Sequence, residues 1–175
     1  MKYYLLKKPD TFNGEMDVVN FHRQVDYRQF AKDQMYRMPS RITCRIRHRE
    51  RREYPLILLE PLPLFHETAW KTLQVFMKKP LHTEFLFQEE VTGEIYHYVC
   101  PAFRRIRGKV TFLGRRGERE EAGLQPGEVF PEGLPALYVE DGDKIYVLMS
   151  LDILESLMRK DLCDIRLLPV QIMEG

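Results

Sequence analysis

Two stretches of this chain follow one plan, and that duplication limits the folds open to it more than any other feature. Each runs from an apolar pair at a strand end through a polar capping residue into an amphipathic helix that closes on two basic residues. A short break and an alternating strand follow. The first copy is Leu64-Phe65, His66, the helix to Lys79, then Glu84 to Glu90; the second is Leu148-Met149, Ser150, the helix to Lys160, then Asp164 to Ile172. In the first helix Ala69, Trp70, Leu73, Phe76 and Met77 share one face. Lys78 and Lys79 suit its negative C-terminal end, and Pro80 stops it. In the second, Ile153, Leu154, Leu157 and Met158 form the apolar face behind an N-cap at Ser150. A long connection holding a helix joins parallel strands. The expected fold is therefore α+β: a mixed, mostly antiparallel sheet with two amphipathic helices in repeated strand-helix-strand units.

Further strands follow from alternation and turn chemistry. Lys2 to Lys7 reads as a first strand, with Tyr3 and Leu5 on one face and Tyr4 and Leu6 on the other. From Arg41 to Arg49 the alternation is strict: Ile42, Cys44, Ile46 and His48 against Arg41, Thr43, Arg45, Arg47 and Arg49. That is a half-buried strand. Tyr54 to Glu60 is apolar on both faces, which predicts a central strand. Thr92-Gly93 and Asp141-Gly142 are hairpin turns, the second joining Ala136–Glu140 to Lys144–Met149. Residues 9–40 carry only a weak helical pattern through Tyr27, Phe30, Ala31 and Gln34. Residues 104–135, rich in charge, Gly and Pro, read as a surface connection with one short strand at Val110 to Leu113.

At 175 residues the chain suits one domain, 1–175, with a division into sub-lobes 1–103 and 104–175 as the alternative. The first residues lack the apolar core of a secretory signal, and no run approaches a bilayer span of about 20 apolar residues. Cys44, Cys100 and Cys163 are odd in number and far apart, so reduced thiols in a cytoplasm are expected.

Net charge is only +1, but it is unevenly spread: residues 1–53 hold 13 basic against 7 acidic groups, and residues 120–175 hold 4 against 12. The basic excess concentrates in Arg41, Arg45, Arg47, Arg49, Arg51 and Arg52. On a regular strand these recur about every 6 to 7 Å, a row suited to carboxylates on a protein partner or to phosphates. Aromatics do not interleave with them, which makes nucleic acid an unlikely partner. The competing explanation is structural: charge on an edge strand that discourages aggregation, or pairing with the chain's own acidic third.

Other constellations carry less. Cys44-x3-His48 and His97-x2-Cys100 resemble zinc ligands in type, but i and i+4 on a strand lie about 13 Å apart, too far for one ion. Cys100, ending an alternating strand, is more ordinarily a packed thiol than a nucleophile. Asp141 and Asp143 suit a solvated turn better than an acid-base pair. Nucleotide-binding glycine loops are absent from the sequence, and no catalytic residue, metal or cofactor is assigned.

Tyr146-Val147-Leu148-Met149-Ser150, leading into Leu154-Glu155-Ser156-Leu157-Met158-Arg159-Lys160 and closing with Ile165 to Val170, carries a resemblance. With the Leu64 to Trp70 stretch and the Glu94 to Val99 strand, it is similar to a bacterial family once known as a domain of unknown function and now classed among immunity proteins of polymorphic toxin systems. The similar regions are about 54–100 and, more clearly, 128–172. The resemblance implies a non-catalytic cytoplasmic protein that binds and neutralises a cognate toxin; the lack of a long apolar run adds the expectation of no membrane partner. It carries over no site residues, because what matches is scaffold. The alternatives are a small cysteine-dependent hydrolase and a basic-face nucleic-acid-binding accessory protein.

Overall fold

The computed structural model describes residues 1–9, 16–48, 54–78, 80–114, 120–160, 162 and 165–173. Among them the strands form two bodies rather than the single sheet expected from the duplicated units. One is a closed six-stranded barrel and the other a five-stranded sheet.

The barrel is built from β1 (Tyr3–Lys7), β7 (Arg105–Leu113), β8 (Glu121–Pro126), β9 (Ala136–Asp141), β10 (Lys144–Ser150) and β11 (Arg166–Ile172), in the order β1-β10-β9-β7-β8-β11. Period-two alternation divides its residues cleanly. Tyr3 and Leu5, Ile106 and Val110, Ala122 and Leu124, Leu137 and Val139, Leu148 and Leu168 belong to one buried cluster. On the intervening positions Leu6, Ala136, Tyr138, Val147 and Met149 belong to a second cluster, shared with the other sheet and the helices. The barrel interior is thus filled by side chains, as expected for so few strands.

The five-stranded sheet comprises β2 (Arg41–Ile46), β3 (Ile57–Leu58), β4 (Leu64–His66), β5 (His82–Glu89) and β6 (Ile95–Pro101), in the order β2-β5-β6-β4-β3. The helix α3 (Glu67–Phe76) links β4 to β5, and α4 (Leu151–Met158) links β10 to β11. Both duplicated units close in the same way. β4 and β5 each pair antiparallel with β6, which lies between them; β10 and β11 each pair antiparallel with β1. The two strands joined by each helix therefore run parallel but are separated by one antiparallel strand. α3 and α4 pack against each other. His66 caps α3, its Nδ1 accepting the Thr68 N–H at 3.3 Å. Ser150 holds the N-cap position of α4, but its buried side chain makes no capping bond.

Two further expectations need correction. The segment after Tyr54 forms only the two-residue β3, at the sheet's edge rather than its centre. It is apolar on both sides because it lies over other residues: Tyr54 packs on Tyr96 with ring centroids 4.2 Å apart, and Tyr98 Oη donates to Pro55 O at 2.6 Å. Residues 104–135 contain β7 and β8 as paired barrel strands rather than a surface connection. The inward row Ile106, Gly108, Val110 was hidden by outward Arg105, Arg107 and Lys109.

The weakly patterned N-terminal region contains two short helices, α1 (Phe21–Gln24) and α2 (Tyr27–Ala31), and a 3-10 turn at Met35–Arg37. Phe21, Phe30, Met35 and Met38 join the buried cluster that holds Phe85, Phe87 and Tyr98. Rings connect the two bodies: Phe65 meets Phe103 at 5.7 Å, Phe103 meets Tyr138 at 5.0 Å, and Tyr138 meets Phe30 at 5.3 Å. Arg105 reinforces this junction. Its guanidinium donates to Phe30 O at 2.6 Å and Ala31 O at 2.9 Å, and lies 4.9 Å from the Phe30 ring centroid.

Candidate functional site

Register fixes which side chains share each face of the five-stranded sheet. Pairing of β2 with β5 sets Arg41 beside Glu84, Thr43 beside Leu86 and Arg45 beside Gln88. Pairing of β5 with β6 sets Glu84 beside Val99, Leu86 beside His97 and Gln88 beside Ile95. Residues paired in this way project to one side. The opposite side holds Ile42, Cys44, Phe85, Phe87 and Tyr98, all buried. α3 lies at one end of the first face, where Trp70 and His82 meet with ring centroids 5.1 Å apart. Beyond it the face is open: Arg41, Thr43, Arg45 and Gln88 are exposed, Leu86 and His97 half-buried. Ile95 is 61% exposed.

Of the arginine row, Arg41, Arg45 and Arg47 lie among the described residues and all three are exposed; Arg49, Arg51 and Arg52 lie outside them. Arg41 is held by Glu84, with Nη2 2.6 Å from Oε2, and its guanidinium keeps the Glu84 carboxyl below the usual carboxylate range. Arg47 is 3.7 Å from Asp17. Arg45, between them, has no ion pair among the described residues. Among the described residues, the acidic groups paired with Arg41 and Arg47 come from β5 and the N-terminal segment.

His97, weighed in the sequence only as a zinc ligand, is a member of this face. Its Nε2 is buried without a hydrogen-bond partner among the described residues. Alternation along β6 puts it with Ile95 and Val99, but only the pairing with β5 shows that this side is the arginine side.

The residues considered for catalysis or metal binding have other surroundings. Cys44 and Cys100 are buried; burial pushes the Cys44 thiol up to about 11 and Cys100 well above the ordinary thiol range. His48 turns to Glu89, with Nδ1 3.1 Å from Oε1. Glu89 is itself buried and accepts from Val91 N–H, Thr92 N–H and Thr92 Oγ1, so that it ties down the turn between β5 and β6. Those hydrogen bonds, led by the Thr92 hydroxyl, lower its carboxyl to about 2. Asp141 Oδ2 accepts from Val110 N at 3.0 Å, joining the hairpin end to β7. Among the described residues no group of three or more His, Cys, Asp or Glu side chains is arranged to hold a metal ion. No helix among them is long and apolar enough to cross a membrane. Comparison with family models, with curated proteins and with solved structures finds no match to this chain.

Proposed function

We propose that this chain is a non-catalytic binding protein that meets a protein partner through the open face of its five-stranded sheet. The partner, following the resemblance to immunity proteins, is a cognate bacterial toxin bound and neutralised in the cytoplasm. One observation carries the reading: a row of exposed arginines stands beside exposed and half-buried apolar side chains, Ile95 and Leu86, on a sheet whose other side is core. Arginine and apolar side chains together are the usual makings of a protein interface, since guanidinium forks pair with carboxylates while apolar neighbours exclude water. The filled barrel supports the same reading, because it offers a rigid body rather than a cavity. The cysteine-hydrolase alternative would need a thiolate at Cys100, which burial disfavours.

The test is co-purification from the native host, and co-expression with the product of any large toxin gene beside this one. A stoichiometric complex is expected, with no loss on Cys100→Ala. Arg45→Glu combined with Arg47→Glu is expected to weaken the complex at least tenfold, about 1.4 kcal/mol. Unchanged affinity would remove this face from the interface.

A further inference from the structure

The outer edge of β2 is half covered and half open. Glu84 N–H donates to Ser40 O and Glu90 N–H donates to Ile46 O, so the backbone groups of the even-numbered residues 40–46 point inward to β5. In a parallel ladder the N–H and C=O of one residue point the same way. Those of Arg41, Thr43 and Arg45 therefore point outward. At the far end they are used: Val19 N–H donates to Arg45 O at 2.8 Å, Arg47 N–H donates to Asp17 O at 3.0 Å, and Val18 bridges Ile46 antiparallel. At Asn20 the chain takes a left-handed backbone turn (φ 52°) into α1, which packs near β2 but makes no backbone hydrogen bond to it among the described residues. The N–H and C=O of Arg41 and Thr43, and the N–H of Arg45, then have no partner among the described residues.

We infer that this open edge takes up an extended, acidic segment of a partner protein as an added antiparallel strand, in line with the bridge already formed at Ile46. Strand addition supplies affinity through backbone hydrogen bonds and specificity through alternate side chains. Here the alternate side chains on one side would lie beside Arg41, Thr43 and Arg45. Directly opposed residues of opposite charge stabilise an antiparallel pair, and like charges destabilise it. Glutamates in the incoming strand therefore fit, and lysines do not. Arg45 offers a guanidinium without an ion pair among the described residues, and Arg41 meets Glu84 through Nε and Nη2. The inference rests on the binding-protein reading and adds to it the form and charge of the segment bound.

The experiment uses the full chain and a fluorescein-labelled nonapeptide in which glutamate alternates with threonine, followed by anisotropy. Saturable binding is expected, at least tenfold weaker for Arg41→Glu/Arg45→Glu and for Thr43→Pro, which removes one outward N–H. Because that proline could disturb the fold, the peptide is also N-methylated. Opposite Arg41 and Thr43 the glutamate N–H groups face β2, so methylating the glutamates should abolish binding and methylating the threonines should not. A lysine-for-glutamate peptide should not bind. The inference is overturned by no saturation up to about 1 mM, by equal binding of the lysine peptide, or by indifference to glutamate methylation. Sedimentation showing a dimer abolished by Thr43→Pro would overturn it in favour of a second copy of this chain. A native partner lost on Arg45→Glu/Arg47→Glu but kept on Thr43→Pro would refute strand addition alone. One kept through both would remove the sheet face as well.

Discussion

Replacing Arg105 with methionine should loosen the N-terminal region from the barrel. The Arg105 side chain is 6% exposed, and its guanidinium donates to two carbonyls at the end of α2 and stands 3.8 Å from Asp33 and 3.9 Å from Glu140. The Phe30 carbonyl also accepts the Asp33 N–H at 3.0 Å, and hydrogen bonds from a charged donor contribute about 1.5 to 3 kcal/mol each. Two such bonds set an upper bound near about 6 kcal/mol. Methionine recovers part of it, because the wild-type side chain carries a desolvation cost, visible in its buried Nε, which makes no hydrogen bond among the described residues. Asp33 and Glu140 retain access to water, so stranding them costs little. The expected loss is about 2 to 4 kcal/mol, or about 4 to 16 °C in Tm for a chain of this size. Urea denaturation gives the energy, and amide hydrogen exchange over residues 21–38 gives the location, since those amides should lose protection first. Arg45→Met, at an exposed position, is the control and should stay within about 0.5 kcal/mol. An Arg105→Met protein within that same margin would refute the argument.

Acid sensitivity should trace in part to Glu89. Its folded carboxyl lies at about 2 against 4.5 ordinarily, so its stabilising contribution is present above about 4.5 and is lost as pH falls toward about 2. Glu89→Gln should flatten the stability profile across that window in urea titrations at stepped pH; a profile parallel to wild type would exclude the carboxylate. In a Cys163→Ser background, Cys44 and Cys100 should resist a disulfide reagent at pH 8 and both react once the protein is unfolded. Prompt native labelling would contradict their burial. Gly108→Ala would set a methyl 2.9 Å from Leu124 Cδ1 and 3.0 Å from the Gln125 carbonyl. It should cost about 1 to 3 kcal/mol, less a few tenths regained from the stiffer unfolded chain. Gly123→Ala meets mainly side-chain ends, Thr111 Oγ1 and Met173 Cε, and should be milder; the reverse order in thermal melts would refute the packing argument.

What was legible in the sequence was local. α3 and α4 declare themselves through an apolar face, a cap position and basic ends, and the hairpins β5–β6 and β9–β10 through period-two strands about Thr92-Gly93 and Asp141-Gly142. The strict alternation of β2 predicted both its buried and its arginine side. Closure into a barrel was not legible, because it depends on β1 entering between β10 and β11 and on β7 lying parallel to β9. No local pattern encodes those partners. Ionic side chains on the outside of β7 outweighed the small inward row of Ile106, Gly108 and Val110. The apolar character of Tyr54 to Glu60 reported burial correctly but not pairing. For the same reason the arginines were placed on one face while His97, weighed only as a zinc ligand, was not placed beside them: its membership of that face follows from a neighbouring strand.

The seating of β1 bears on how the molecule comes into being. Leu5 stands opposite Leu148 on one side and Leu168 on the other, so β1 leaves the ribosome about 160 residues ahead of one of the two strands that flank it. Until residues 166–172 are released, Tyr3 and Leu5 have no enclosure, and the nascent chain exposes them along with the inner faces of β7 to β10. Such distant pairings delay folding and leave sticky intermediates. Synthesis at high rate should therefore tax the host's chaperones before the finished barrel hides these surfaces.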